Sequence, residues 1–259
     1  PITTQLSTIE PEAIRWLWPN RIARGKLTMV AGDPKLGKSL VTADLTARIT
    51  AALAWPDNSG TAPRGNVIFA SAEDDPADTI RPRIEAAGGD VARVFIIGTV
   101  TDLDQEGRPY ERGFNLRHDA HRLETEIERI GDIAAVIVDP VTAYLGGTDS
   151  HKNSEVRELL SPLSRLASEH NVAVIAVSHL NKGNSGTNAL YRVSGSLAFT
   201  AAARTCWLVA KDQEDEQRRL MLPSGSNIAP DMGGLAYRIT TKATKIGDVP
   251  VLDWEPDPV

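Results

Sequence analysis

The segment at residues 32–39 constrains the fold more than any other part of the chain. Its sequence is Gly-Asp-Pro-Lys-Leu-Gly-Lys-Ser, which matches the pattern G-x-x-x-x-G-K-[ST]. An apolar run at 27–31 precedes it, and an Ala- and Leu-rich stretch at 38–53 follows it. The segment therefore joins a predicted strand to a predicted helix, and this context predicts a phosphate-binding loop rather than an ordinary glycine-rich turn.

The residue types of this loop suit a bound triphosphate. Gly32 and Gly37 allow the backbone to turn so that successive N–H groups face inward around an anion. Lys38 would place an ammonium on the β- and γ-phosphates, and the Ser39 hydroxyl would bind Mg²⁺. The positive end of the following helix adds to the same field. We therefore predict ATP and Mg²⁺ as cofactors, with nucleotide-binding residues Gly32, Asp33, Pro34, Lys35, Leu36, Gly37, Lys38, Ser39 and Leu40.

The rest of the chain alternates between short apolar runs and helical patterns. Beyond the first strand, the predicted strands are 67–71, 94–97, 134–138 and 172–177, and the further predicted helices are 76–87, 116–130 and 156–170. Strands that alternate with helices imply right-handed crossovers and a mainly parallel sheet. Short strands at 206–210, 219–222 and 235–241 are expected to extend the sheet in antiparallel fashion. The predicted fold is α/β, a mainly parallel sheet flanked by helices with antiparallel C-terminal strands.

The patterning divides the chain into three parts. Residues 1–24 have little periodicity and are interpreted as an arm that docks Trp16 and Trp18 onto another surface. Residues 25–245 form the ATPase domain. Residues 246–259 are assigned to a C-terminal tail, and its Pro-rich part at 250–259 is predicted to be loose.

The composition limits which binding partners and which cellular compartment can be expected for this chain. The net charge is −6 and the pI is near 5.4, whereas a protein that coats duplex DNA is usually basic, so nucleic-acid contact must come from a few loops or from a ring of subunits. No apolar run approaches the ~20 residues that span a bilayer, so no membrane partner is expected. The single cysteine, Cys206, fits a reducing cytoplasm and is expected to be buried. A start at Pro1 is compatible with loss of an initiator methionine or with a piece of a longer protein.

Asp139 follows the continuous apolar run at 134–138, as expected at the end of a strand buried on both faces. Open α/β sheets place their ligands at the carboxyl ends of parallel strands. We predict that Asp139 binds Mg²⁺ together with Ser39, directly or through water. The alternative is a strand-ending carboxylate that caps the turn with Pro140.

Glu73 lies just beyond the second predicted strand, at the same expected edge of the sheet. A glutamate there can accept a proton from the water that attacks the γ-phosphate. Asp74 and Asp75 are adjacent carboxylates, and we expect them to cap the helix that begins near Pro76.

Taken in order, these residues resemble the RecA-like branch of P-loop ATPases, and within it the plasmid RepA-type hexameric replicative helicases and related AAA-type ATPases of plasmids and phages. The first loop is common to many unrelated ATPases, and the ordered set is more specific. The segments that carry the resemblance are 16–19, 32–39, 71–75, 79–83, 138–140, 178–182, 194–196, 202–204 and 234–237.

The resemblance implies a RecA-like core that assembles as a homohexamer and takes its catalytic residues from Glu73, Lys38, His179 and Arg204. His179 would sense the γ-phosphate, although a lone histidine is often a structural group. Arg204 would act on the neighbour's nucleotide as an arginine finger, the alternative being a surface salt bridge. Related proteins often carry a lysine at the position of residues 224–227, and this chain has none there.

The resemblance also implies that two loops, 146–154 and 182–193, hold single-stranded DNA in a central channel. Their cations Lys152, Lys182 and Arg192 are the predicted DNA contacts, and solvated loops are the alternative. A few cations per subunit, repeated around a ring, give salt-sensitive and sequence-blind binding. The leading hypothesis is a replicative helicase or translocase, with a replication protein as a further partner. The alternatives are a regulatory or loading ATPase that acts on a protein without unwinding DNA, and a weakly catalytic nucleotide-binding scaffold.

Overall fold

The structure is a computed structural model that describes residues 3–144, 153–179 and 202–259. The strands within these residues are β1 (Trp16–Trp18), β2 (Ile22–Ala23), β3 (Leu27–Gly32), β4 (Asn66–Ser71), β5 (Val94–Ile96), β6 (Thr99–Leu103), β7 (Pro109–Gly113), β8 (Ile133–Asp139), β9 (Ala173–His179), β10 (Thr205–Lys211), β11 (Arg218–Ser226), β12 (Leu235–Thr244) and β13 (Gly247–Trp254). The α-helices are α1 (Lys38–Ala51), α2 (Arg81–Ala86), α3 (Leu116–Ile130) and α4 (Asn153–His170). No helix among these residues has the length and apolar character needed to cross a membrane.

One sheet of nine described strands forms the centre of the molecule, in the order β13-β12-β11-β10-β3-β9-β8-β4-β5. The strands from β10 to β5 are parallel to their neighbours, and those from β10 to β13 are antiparallel. Apolar side chains of α1 and α2 pack on one face, and those of α3 and α4 pack on the other. The predicted α/β fold with antiparallel C-terminal strands is confirmed, and β10 itself joins the parallel part through β3.

The prediction of a loose C-terminal tail is wrong for most of its length. β13 pairs with β12 along its whole length, and Val259 exchanges backbone hydrogen bonds of 2.9 and 3.0 Å with Gly234. In the sequence, Pro250 favoured a loose chain because proline has no backbone N–H to donate. β13 is an edge strand, however, and an edge strand tolerates a residue without an N–H. The division of the chain into three domains stays a prediction.

A second departure is the hairpin formed by β6 and β7, which no sequence pattern predicted. Its side chains are mostly exposed, so the apolar alternation of a half-buried strand is missing. A bidentate pair from Arg112 to the buried Asp119, at 2.6 and 2.8 Å, ties the hairpin to α3. This ion pair therefore holds the hairpin together with the packing of Val100, its one buried apolar side chain.

The helix predicted at 76–87 begins as a π-helical turn (Pro76–Ile80) and continues as α2. Asp75 caps it by accepting hydrogen bonds from the N–H groups of Ala77 and Asp78, as predicted. The prediction for Asp74 is wrong, because its carboxylate instead binds Arg83 at 2.7 Å.

The predicted docking of the N-terminal tryptophans is confirmed for Trp18, which is fully buried and stacks on Trp55 with ring centroids 4.9 Å apart. Arg21 lies between the rings of Trp18 and Trp207, with its guanidinium 5.5 and 5.3 Å from their centroids. Its Nε donates to Asp57 at 2.6 Å, and both side chains are at least nine-tenths buried.

Substituting Arg21 by alanine should lower the free energy of unfolding by about 3–5 kcal/mol, because it leaves the Asp57 carboxylate buried without its partner. Urea denaturation measures this directly. The matched control is Arg64→Ala, which removes an exposed pair with Asp90 and should change stability little. Equal, small losses for both variants would contradict the structural role of Arg21.

The same pair makes a pH prediction. Burial alone would raise the pKa of Asp57, but hydrogen bonds from Ser59, Arg21 and Trp18 outweigh it and hold that pKa below its usual range. Since the folded-state pKa is below the unfolded value of about 3.9, the carboxylate stabilises the fold above that pH. This contribution is lost as the pH falls through the folded-state pKa, and Arg21→Ala should flatten the acid limb of the stability profile.

Candidate nucleotide-binding site

The phosphate loop begins where β3 ends, between β9 and β10 in the middle of the sheet. A Cβ on Gly32 would lie 2.5 Å from the carbonyl oxygen of Val209, so only glycine fits beside β10. Gly37 has φ +87° and precedes the first residue of α1, a conformation that side chains other than glycine adopt with strain. Gly37 is therefore required by its backbone conformation, as the sequence predicted, whereas Gly32 is required by its close approach to β10.

Lys38 is buried at the start of α1, and its ammonium closes the loop. Its Nζ donates to the carbonyl oxygens of Gly32 at 2.9 Å and Asp33 at 2.8 Å. Burial lowers the pKa of Lys38, and the carboxylates of Asp139, Asp33 and Glu73 oppose that effect. The ammonium thus lies among loop oxygens that a bound phosphate would join or replace.

Asp139 ends β8 and is 5% exposed. The Thr42 hydroxyl donates to its Oδ2 at 3.2 Å, and the Ser39 hydroxyl also hydrogen-bonds to its carboxylate. Burial, with a contribution from the Asp74 carboxylate, raises the pKa of Asp139 above its usual range, and these two hydrogen bonds and the Lys38 ammonium oppose the rise only in part. A hydroxyl and a carboxylate in contact are oxygen ligands of the kind Mg²⁺ accepts alongside substrate phosphates, so the residues fit the predicted ion.

Glu73 and His179 come from the ends of two further strands to the same edge. Glu73 follows β4, whose last residue Ser71 is in register with Asp139. His179 ends β9 beside Gly32, and its Nε2 lies 3.6 Å from a Glu73 carboxylate oxygen. The Glu73 side chain is 62% exposed, which leaves its carboxylate open to solvent. The fold thus gathers Lys38, Ser39, Asp139, Glu73 and His179 at one edge of the sheet.

Arg204 does not join this group. It immediately precedes β10 at the opposite edge of the sheet, where its N–H donates to the carbonyl of Leu27 at 2.9 Å. Its side chain is exposed. Residues 224–227 reach the same edge, since Ser226 is in register with Thr205. Arg204 is therefore remote from the phosphate loop of its own chain.

The predicted DNA contacts Lys152, Lys182 and Arg192 lie outside the residues that the structure describes. Among the described residues, sequence reasoning missed the contribution of Thr42 and of β12 to the site. The Tyr237 hydroxyl donates to the Leu36 carbonyl at 2.9 Å, and Ile239 lies against Gly37. The apolar alternation of β12 signalled a strand, but not its contact with a loop about two hundred positions earlier in the chain.

The sheet, the phosphate loop and its position at the carboxyl edge define a RecA-like P-loop ATPase fold. The chain belongs to the AAA domain family, whose model matches residues 2–185. The resemblance to RecA-like P-loop ATPases is thereby confirmed.

Similar proteins include DNA repair proteins from two Streptococcus species. The chain is 24% identical over 161 residues to the DNA repair protein RadA of Streptococcus pyogenes serotype M3, and 23% identical over 161 residues to that of Streptococcus pneumoniae. Each match covers 62% of this chain but 29% and 31% of the relative, so the chain spans less than a third of the length of these proteins. Among solved structures, an ATPase domain of another protein matches with a TM-score of 0.57 and 14% identity, over 83% of this chain and 82% of that chain. This last likeness concerns the fold alone.

Proposed function

We propose that this chain binds ATP with Mg²⁺ at the phosphate loop, hydrolyses it, and uses the energy to move along single-stranded DNA as a ring-forming replicative helicase or translocase. The observation that carries the proposal is the meeting of a buried ammonium, a hydroxyl–carboxylate pair and an accessible glutamate at one sheet edge. These are the parts that phosphoryl transfer to water requires.

Each residue has a role that follows from its position. Lys38 turns from the loop carbonyls toward the β- and γ-phosphate oxygens. Ser39 and Asp139 would hold Mg²⁺, which when bound would supply positive charge against the phosphates. Glu73 accepts the proton of the attacking water. His179, within reach of Glu73, registers the presence of the γ-phosphate and passes the change into the chain that follows β9.

The ring is proposed because Arg204 lies at the sheet edge opposite its own loop. An exposed guanidinium there has access to the nucleotide of a neighbouring subunit, where it would stabilise the transferring phosphoryl group. We propose a homohexamer. Residues 224–227 lie at the same edge without a lysine, so the contribution in trans rests on Arg204.

The proposal of DNA as the substrate is supported by the similarity to the RadA relatives, which are DNA repair proteins. With a net charge of −6, a single chain has little general attraction for a polyanion. Contacts through Lys152, Lys182 and Arg192, repeated around a ring, would supply local positive charge in spite of that balance.

Single-stranded DNA is expected to stimulate ATP hydrolysis several-fold, and the stimulation should weaken steeply between low and moderate salt because phosphate contacts release counterions. Steady-state hydrolysis with and without an unstructured oligonucleotide measures it, and light scattering with ATP and Mg²⁺ measures the ring. Lys38→Ala should abolish hydrolysis in both conditions. A hydrolysis rate that does not change with DNA but rises with a protein partner would favour a regulatory or loading ATPase. A protein that stays monomeric under all conditions would contradict the ring.

A further inference from the structure

Tyr237 connects the phosphate loop to a strand about two hundred positions later in the chain. Its side chain is fully buried, and its hydroxyl donates to the carbonyl oxygen of Leu36 at 2.9 Å. Burial raises the pKa of Tyr237, so the phenol stays protonated and remains a donor over the physiological range. The phenol is thus available as a hydrogen-bond donor from β12 to the loop throughout that range.

The carbonyl that Tyr237 holds belongs to the same peptide unit as the N–H of Gly37. That unit is planar, and in the trans form its C=O and N–H point in opposite directions. Anchoring the Leu36 oxygen on β12 therefore aims the Gly37 N–H away from β12. The hydroxyl sets the direction of one donor in the predicted anion nest, immediately before Lys38.

A second residue of the same strand face adds a steric contact. Residues two apart in a strand share a face, and Ile239 follows Tyr237 on β12. A Cβ built on Gly37 would lie 3.0 Å from Ile239 Cδ1 and 3.7 Å from Tyr237 Cε2. The strand thus covers the loop closely at Gly37 and restricts its movement toward the sheet.

Trp254 of β13 fastens this strand to the helix that follows the loop. It is in register with Tyr237, and the two rings have centroids 4.9 Å apart. Its Nε1 donates to the Asp44 carboxylate in α1 at 2.9 Å. The loop and α1 are therefore both attached to the β12–β13 hairpin, which fixes their relative position.

We propose that Tyr237 is a positioning residue that preorganises the phosphate loop for nucleotide binding. This rests on the proposed function, because it takes the phosphates to bind at this loop. The hydroxyl touches neither phosphate nor metal, and it acts through the Leu36–Gly37 peptide. A hydroxyl that only satisfied a buried carbonyl would contribute to stability and leave nucleotide affinity unchanged.

The test compares Tyr237→Phe with Thr28→Val. Both remove one buried hydroxyl hydrogen bond, and Thr28 bonds Thr205 at 2.8 Å at the other end of β3. Three quantities are measured in the whole chain: the Kd for ATP with Mg²⁺, hydrogen exchange at the amides of residues 36–39 without nucleotide, and the urea midpoint. Trp254→Phe, which removes the bond to Asp44 and keeps an aromatic ring, is the second variant.

Tyr237→Phe is expected to raise the Kd for ATP about tenfold and to speed exchange at the loop amides, as expected for the loss of one hydrogen bond worth about 1.4 kcal/mol. Thr28→Val should keep the Kd within about twofold despite a similar loss of stability, since it leaves the loop untouched. Trp254→Phe should show the exchange effect in weaker form. A Tyr237→Phe protein with the wild-type Kd for ATP, whatever its stability or loop exchange, would overturn the inference. Absence of ATP binding by the wild type would instead overturn the proposed function, and exchange in the free protein would still report whether Tyr237 orders the loop.

Discussion

Replacement of Lys38 by alanine is expected to lower the rate of ATP hydrolysis by about a hundredfold or more, because it removes a preorganised positive charge from the position where negative charge develops. Lys38 is 4% exposed, and its ammonium already donates hydrogen bonds of 2.9 and 2.8 Å to two loop carbonyls. Its charge is therefore in place before the nucleotide arrives. Release of phosphate from saturating ATP with Mg²⁺ measures the effect.

A charge control separates this role from a change in net charge. Lys26→Ala removes one positive charge just before the amino end of β3, at the opposite end of the strand from the loop. Its hydrolysis rate should stay within about twofold of the wild type, as expected for a distant surface charge screened by salt. Retention of wild-type hydrolysis by Lys38→Ala, with the fold intact by circular dichroism, would show that the loop is not the catalytic phosphate site.

Replacement of Glu73 by glutamine is expected to lower hydrolysis by about a hundredfold while ATP still binds, because the amide keeps the shape but cannot accept the proton of water. Glu73 is accessible at the sheet edge, and it is not needed to hold Lys38 or Asp139 through a hydrogen bond. The variant should therefore bind ATP with an affinity close to that of the wild type. Equilibrium binding and single-turnover hydrolysis, measured on the same preparation, distinguish the two steps.

The matched control is Glu85→Gln, which removes a carboxylate from an exposed pair with Arg81 in α2. It should leave both binding and hydrolysis unchanged. If Glu73→Gln hydrolyses ATP at the wild-type rate, the general base lies elsewhere, and the contact between Glu73 and His179 has another purpose. If the variant loses binding together with hydrolysis, Glu73 contributes to affinity rather than to proton transfer.

The parts of this molecule that sequence predicts well are those governed by local chemistry. The loop at 32–39 requires glycines at fixed positions, and α3 has the bounds that its helical spacing predicted, Leu116–Ile130. Asp139 and Glu73 follow strands whose carboxyl ends must meet in a parallel sheet, so their convergence could be expected before any coordinates.

The parts that sequence does not predict depend on contacts between distant segments. Tyr237 reaches the loop only because the antiparallel strands continue the sheet beyond β10, and the apolar alternation of β12 looks like that of any half-buried strand. The β6–β7 hairpin depends on the Arg112–Asp119 pair, which apolar periodicity does not reveal. Pro250 suggested a loose chain, yet it lies in the edge strand β13, which tolerates a residue without a backbone N–H. Tertiary context decided each of these cases.

The most direct test of the account is calorimetric titration of the wild-type chain with ATP in the presence of Mg²⁺, beside the same titration of Lys38→Ala. The wild type is expected to show saturable binding at one site per chain, and both chelation of the metal and the Lys38→Ala substitution are expected to weaken it. Wild-type protein that is folded and yet shows no affinity for adenine nucleotides with Mg²⁺ would contradict the assignment of the loop, the carboxylates and every role built on them.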